Sequence, residues 1–220
     1  MNNSEFKKRK FVEDILNWHK KNKISFPWRE TEDPYAILIA EILLKKTTRK
    51  QVINIYSSFM EKYHTVFDLA SADPKELENL IKPLGMQIKR ARILISIAKE
   101  LVEKYGGKVP LNKIELEKIN GIGSYTANAV LTLAGNFPFP MVDTNVIRVI
   151  SRVFSFQPKK TRAREDKNLW EFVQSLVPLK NAKEFNLSLL DFANLICKPK
   201  NPKCSECPLS DICEYKNSKT

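Results

Sequence analysis

Four cysteines and two isolated carboxylates are the residues of this chain best suited to chemistry. Cys197, Cys204, Cys207 and Cys213 all fall in the last 24 residues, with the spacing C-x6-C-x2-C-x5-C. Four thiolates on one short irregular segment suit metal ligation, and a cubic [4Fe-4S] cluster and a tetrahedral zinc ion are the two fits. Disulfides rank low in a chain without a secretory signal. Glu41 is the single carboxylate in the apolar run from Tyr35 to Leu44. Burial there raises a carboxyl pKa and lets the group donate as well as accept, while the alternative is an exposed charge on the wet side of a helix. Asp143 precedes Thr144-Asn145-Val146-Ile147-Arg148. By position alone it is an ordinary helix N-cap. A fixed carboxylate in that place can also stabilise positive charge developing on a substrate, or orient water.

A third feature is the turn Gly121-Ile122-Gly123 between two helical segments. Backbone N–H groups exposed at the start of the following helix form a site for a phosphate oxygen, although a G-x-G pair also serves as a plain helix connection. Tyr125, at the start of that following helix, reads equally as a core aromatic.

These residues must be positioned by helices. Apolar residues recur at helical spacing in nearly every segment, strand-like alternation is absent, and only 6 glycines occur in 220 residues. The pattern predicts helices near 5–22, 34–45, 49–63, 74–81, 87–105, 113–118, 124–135, 143–154, 165–177 and 182–196. Asp33-Pro34 and Asp73-Pro74 each place an N-cap ahead of a proline at the first helical position. Pro138 and Pro140 interrupt the pattern and predict a hinge. The expected fold is all-α in two helical domains, one over 31–137 and one formed by 1–30 and 138–220, flanking a cleft.

The formal charge of +12 favours a polyanionic partner. No apolar run is long enough to span a bilayer, so no membrane partner is expected and the expected location is the cytoplasm, at the nucleoid in a prokaryote. Lys7-Lys8-Arg9-Lys10 is either a solvated helix face or a phosphate-contacting arm.

The cysteine spacing, the segment from Leu116 to Ala127 and the Pro140…Asp143 element together resemble the endonuclease III and MutY superfamily of helix-hairpin-helix DNA glycosylases. The resemblance runs from Phe26-Pro27-Trp28-Arg29 through Cys213. It implies a [4Fe-4S] cluster on the four cysteines, a six-helix barrel carrying the hairpin, a monovalent cation at that hairpin, and a catalytic role for Asp143. Tyr125 stands where lyase members carry a lysine, which implies a monofunctional enzyme that uses water. Glu41 matches the acid of adenine-excising members. Tyr125 and Glu41, with Lys45-Lys46-Thr47-Thr48 and Met141-Val142-Asp143, look most like the thymine-mismatch glycosylases. Adenine enzymes usually have serine at the Tyr125 position, a glutamine pair at Lys45 and Lys46, and a further C-terminal domain, whereas this chain stops seven residues after Cys213.

The implied substrate is thymine or uracil opposite guanine in duplex DNA, with an AP endonuclease acting downstream of a monomeric enzyme. Implied DNA contacts are Gly121, Ile122 and Gly123 on phosphate; Lys45, Lys46 and Thr47 on one side of the gap; Leu84, Gly85, Met86 and Gln87 on the other; and Asn145 and Arg148. Leu84 or Met86 would act as a wedge, with core packing as the rival for both. Trp28 and Arg29 are candidates for the flipped-base pocket, the rival being a buried anchor at a domain boundary. His19 and His64 match no family position. Three rivals compete with the thymine reading: an adenine glycosylase, a lyase, and a protein that only binds mismatches.

Overall fold

The computed structural model describes residues 3–218, and among them every regular element is helical. Two compact units emerge, one of residues 25–135 and one of residues 1–24 with 136–220. The first boundary lies six residues before the expected 31. The second falls just ahead of Pro138, where Asn136 takes a left-handed backbone.

The 25–135 unit is built around α2 (Pro34–Leu43), which packs on α8 (Ser124–Gly135), α3 (Arg49–Lys62) and α6 (Gln87–Tyr105). Every residue from Tyr35 to Leu43 is buried. A helix apolar on all sides can only be an interior one, which explains why its sequence shows no wet face. Asp33 caps it, accepting from Tyr35 N and Ala36 N, and Asp73 caps α5 (Pro74–Ile81) in the same way through Glu76 N. The unit is completed by α4 (Val66–Ala70) and α7 (Lys113–Lys118). The periodicity misses α4 because five residues are too few to show a period; its Thr65/Asp68 capping box was the readable signal. The helix expected over 34–45 ends at Leu43, because the chain turns and Lys46 adopts a left-handed φ of 57°.

In the other unit α1 (Asn3–Asn22) packs on α11 (Ala182–Leu195), and α9 (Thr144–Phe154) packs on α11 and α12 (Glu214–Asn217). The helix expected over 165–177 is shorter, α10 (Lys167–Gln174), with Asp166 as its cap. The basic run is a paired helix face: Lys7 meets Glu214, Lys8 meets Glu5 and Lys10 meets Asp14.

Candidate functional site

Asp143 is the N-cap of α9, as its position suggested. Its Oδ1 accepts from Asn145 N at 2.8 Å and Val146 N at 2.7 Å, and its Oδ2 accepts from Asn145 Nδ2 at 2.7 Å. The carboxylate is half-buried, held at both oxygens, and cannot wander. The extended approach to it is fixed by Asn186 of α11, whose Oδ1 accepts from Met141 N at 2.7 Å and whose Nδ2 donates to Phe139 O at 3.1 Å. Asn186 was not singled out in the sequence, since nothing local marks an asparagine whose partners lie 45 residues away.

Arg148 extends the network. Its guanidinium donates to Asn145 Oδ1 at 2.9 Å, to Ala193 O at 2.8 Å and to Cys197 O at 2.8 Å. One turn later Arg152 donates to Lys198 O and Pro199 O, approaches Cys197 Sγ at 3.5 Å and stacks on Tyr215. An unbroken chain of polar contacts thus runs from Asp143 to the cysteine segment. Asn145 and Arg148, expected as DNA contacts, have most of their donors engaged within the protein.

The four cysteines gather in this unit with Cys213 buried and the others half-buried. Burial pushes the Cys207 thiol up to about 12, and the other three sulfurs add to the shift. Four thiolates held together in this way repel one another until a cationic centre neutralises them, which is the chemistry of a metal site. Among the described residues no three potential ligands converge on the position of one ion.

In the 25–135 unit Glu41 is buried at 7% exposure, on α2 where it packs against α8. Tyr125 is half-buried in the first turn of α8. The turn before it holds Gly121 at φ +98°, a conformation for glycine, and a Cβ there would lie 3.1 Å from Ile93 Cγ2. Ile122 is buried at 4% and its amide donates to Ile119 O at 3.0 Å, so this residue braces the turn. A Cβ on Gly123 would meet nothing within 4 Å, and the first amides of a helix such as α8 lack intrahelical acceptors.

The two wedge candidates separate. Leu84 is 5% exposed and belongs to the core, whereas Met86 is 48% exposed at the N-cap of α6 with a left-handed φ of 51°. A bulky residue held in that conformation is strained, and such strain concentrates at functional positions. Gly85, at φ 71°, permits the reversal that carries Met86 outward.

Trp28 and Arg29 are 3% and 7% exposed. Trp28 stacks on Phe26 at 4.9 Å and meets Tyr56 edge-on, so the tryptophan is a core anchor of its unit. Arg90, missed by the sequence reading, is buried and donates to the carbonyls of Ile42, Leu43 and Lys45, satisfying the open C-terminal end of α2. His19 is buried between Glu184 and Asp191, at 3.1 Å and 3.5 Å, in a structural ion-pair cluster.

Residues 39–175 match the HhH-GPD superfamily of base excision DNA repair proteins, and residues 197–213 match the iron-sulfur binding domain of endonuclease III. The chain is 43% identical to the thymine/uracil-DNA glycosylase of Pyrobaculum aerophilum, over 94% of this chain and 91% of that protein. Its fold is similar to that of a thermostable thymine-DNA glycosylase, with a TM-score of 0.94 and 38% identity over 99% of this chain and 100% of the other. It is also similar to endonuclease III in a non-covalent complex with DNA, with a TM-score of 0.84 and 25% identity over 100% and 98% of the two chains. The cysteine segment is therefore an iron-sulfur domain, and the chain belongs to the HhH-GPD superfamily of base excision DNA repair proteins.

Proposed function

We propose that this protein is a monofunctional DNA glycosylase that extrudes thymine or uracil from opposite guanine in duplex DNA and hydrolyses its bond to the sugar, leaving an abasic site. The observation that carries this reading is the pairing of a buried acid, Glu41, with Tyr125 in place of an amine, in a chain that also fixes Asp143 at both oxygens. Breaking the glycosidic bond builds positive charge on the sugar. A carboxylate that is already oriented stabilises that charge without reorganisation. Glu41, buried near the deoxynucleobase, would assist departure of the base by sharing a proton with it. Tyrosine forms no imine, so water completes the reaction.

Duplex binding is assigned to the amides around Gly121, Ile122 and Gly123 on backbone phosphate, which grips without reading sequence. Lys46, Thr47, Met86 and Gln87 are assigned to the gap and the orphaned guanine, with Met86 as the wedge. A mispaired base costs less to extrude, which supplies part of the selectivity. The cysteines hold a [4Fe-4S] cluster that organises its loop, where Lys198, Lys200 and Lys203 add positive charge. Any monovalent cation would sit at the hairpin carbonyls. A downstream AP endonuclease and a monomeric state complete the proposal.

The test is an excision assay on duplexes carrying thymine, uracil or adenine opposite guanine or 8-oxoguanine, developed with and without alkali. Thymine and uracil opposite guanine should be released, with strand breaks only after alkali. Preferential release of adenine would transfer the protein to the adenine reading, and breaks without alkali would make it a lyase.

A further inference from the structure

Lys45 was expected to reach DNA, but its exposed side chain is bonded within its own unit. Its Nζ donates to Gly121 O at 2.9 Å, across 76 residues, at the turn of the hairpin. Its surroundings are not those of a free lysine: desolvation lowers its pKa, Glu41 partly offsets that and Arg90 adds to it. The same corner is held from behind, because Arg90 of α6 binds the carbonyls of Ile42, Leu43 and Lys45 itself. Farther along α6, Glu100 accepts from Asn120 N at 3.2 Å, and Ile93 and Ile97 pack beneath Gly121. These contacts close a ring: α6 holds the α2–α3 corner through Arg90, the corner holds the hairpin through Lys45, and the hairpin returns to α6 through Glu100.

We propose that Lys45 is a positioning residue that latches the phosphate-gripping hairpin to the helix carrying Glu41, and that it makes no DNA contact of its own. The other fixings of the hairpin turn act on Asn120, on Ile122 and from beneath Gly121, not on the Gly121 carbonyl. Its amides point correctly only if the Gly121 peptide plane is held, and an ammonium on the Gly121 carbonyl holds that plane from the opposite face. A grip fixed before DNA arrives loses less entropy on binding. The neighbouring Lys46, strained at φ 57°, is exposed as well and lacks the bond to the hairpin that Lys45 makes.

The inference rests on the duplex-binding reading, and its test separates the two. Hydrogen exchange of the Ile122 amide, which is bonded to Ile119 O at 3.0 Å, is measured in the free holoprotein for wild type, Lys45→Met, Lys45→Arg and Lys46→Met. The salt dependence of binding to an undamaged duplex is measured for the same four proteins. Lys45→Met should speed Ile122 exchange about tenfold, the scale expected on losing a charge-assisted hydrogen bond. It should weaken duplex binding with the salt slope unchanged, and Lys45→Arg should restore both. Lys46→Met should leave exchange unaltered and lower the slope by about one counterion. Unaltered exchange in Lys45→Met overturns the latch whatever the slope does. A slope reduced by about one counterion also overturns it, since Lys45 then has a phosphate of its own. Wild-type binding that ignores salt would instead defeat the duplex-binding reading, while the exchange measurement still decides the latch.

Discussion

The two units hold their candidate residues by different means. Around Glu41 the 25–135 unit offers a helix buried on every side, closed at one end by Asp33 and at the other by Arg90, so the backbone that carries the acid is fixed by packing and by both caps. Around Asp143 the other unit adds directed contacts to its packing: two amides, the Asn145 side chain, and the arginine chain to Cys197. A carboxylate bonded at both oxygens stays oriented, which suits a group that must meet a cation at a fixed point. The comparison assigns base handling to the first unit and charge stabilisation to the second.

The largest effect should come from Asp143→Asn. Asparagine caps a helix as well as aspartate does, so α9 should persist while the charge is lost. Single-turnover excision should fall at least about a hundredfold, with mismatch affinity largely kept. A near-normal rate would reduce Asp143 to a cap.

Next comes the contrast between Leu84 and Met86, two residues apart. Leu84→Ala should destabilise the protein by about 2–5 kcal/mol, as core truncations do. Met86→Ala should change stability by no more than about 0.5 kcal/mol and slow extrusion of a mispaired base about tenfold. Denaturant melts and 2-aminopurine fluorescence read the two quantities, and a reversed pattern would mean that the exposed side chain is not the wedge.

The smallest effect concerns His19. Its contact with Asp191, helped by Glu184, raises its pKa above the usual imidazole value despite burial. A raised folded-state pKa means that the stabilisation is complete below about pH 6.5, the unfolded value, and is lost as pH rises through the folded value. Thermal melts from about pH 6 to about pH 9 should therefore show wild type losing stability with pH more steeply than His19→Gln. Parallel curves would show that the cluster does not titrate in that range.

Much of this was legible in the sequence because it is local. Asp33-Pro34 and Asp73-Pro74 cap the helices they announced, and the cysteine spacing carried the iron-sulfur domain. What stayed hidden depends on residues far apart in the chain. Arg90 serves carbonyls 45 to 48 positions away, Asn186 fixes a peptide 45 away, and Lys45 finds a carbonyl 76 away. Side-chain type gives no hint of such partners. Leu84 and Met86 are alike in composition and differ only through the left-handed backbone at Gly85 and Met86, which hydrophobic pattern does not encode.

The division between the units is tested most directly by hydrogen exchange mapped along the chain before and after oxidative removal of the iron. Without the cluster nothing ties the four sulfurs together, which should loosen the Cys197–Cys213 loop and, through Arg152 and Arg148, the start of α9. Amides of Asn145 and Val146 should lose protection, while those of α2 and α8 around Glu41 and Tyr125 keep theirs. Equal loss in both units, or protection at Asn145 and Val146 that survives iron removal, would contradict the claim that the Asp143 carboxylate is held through a polar network anchored on the cluster loop.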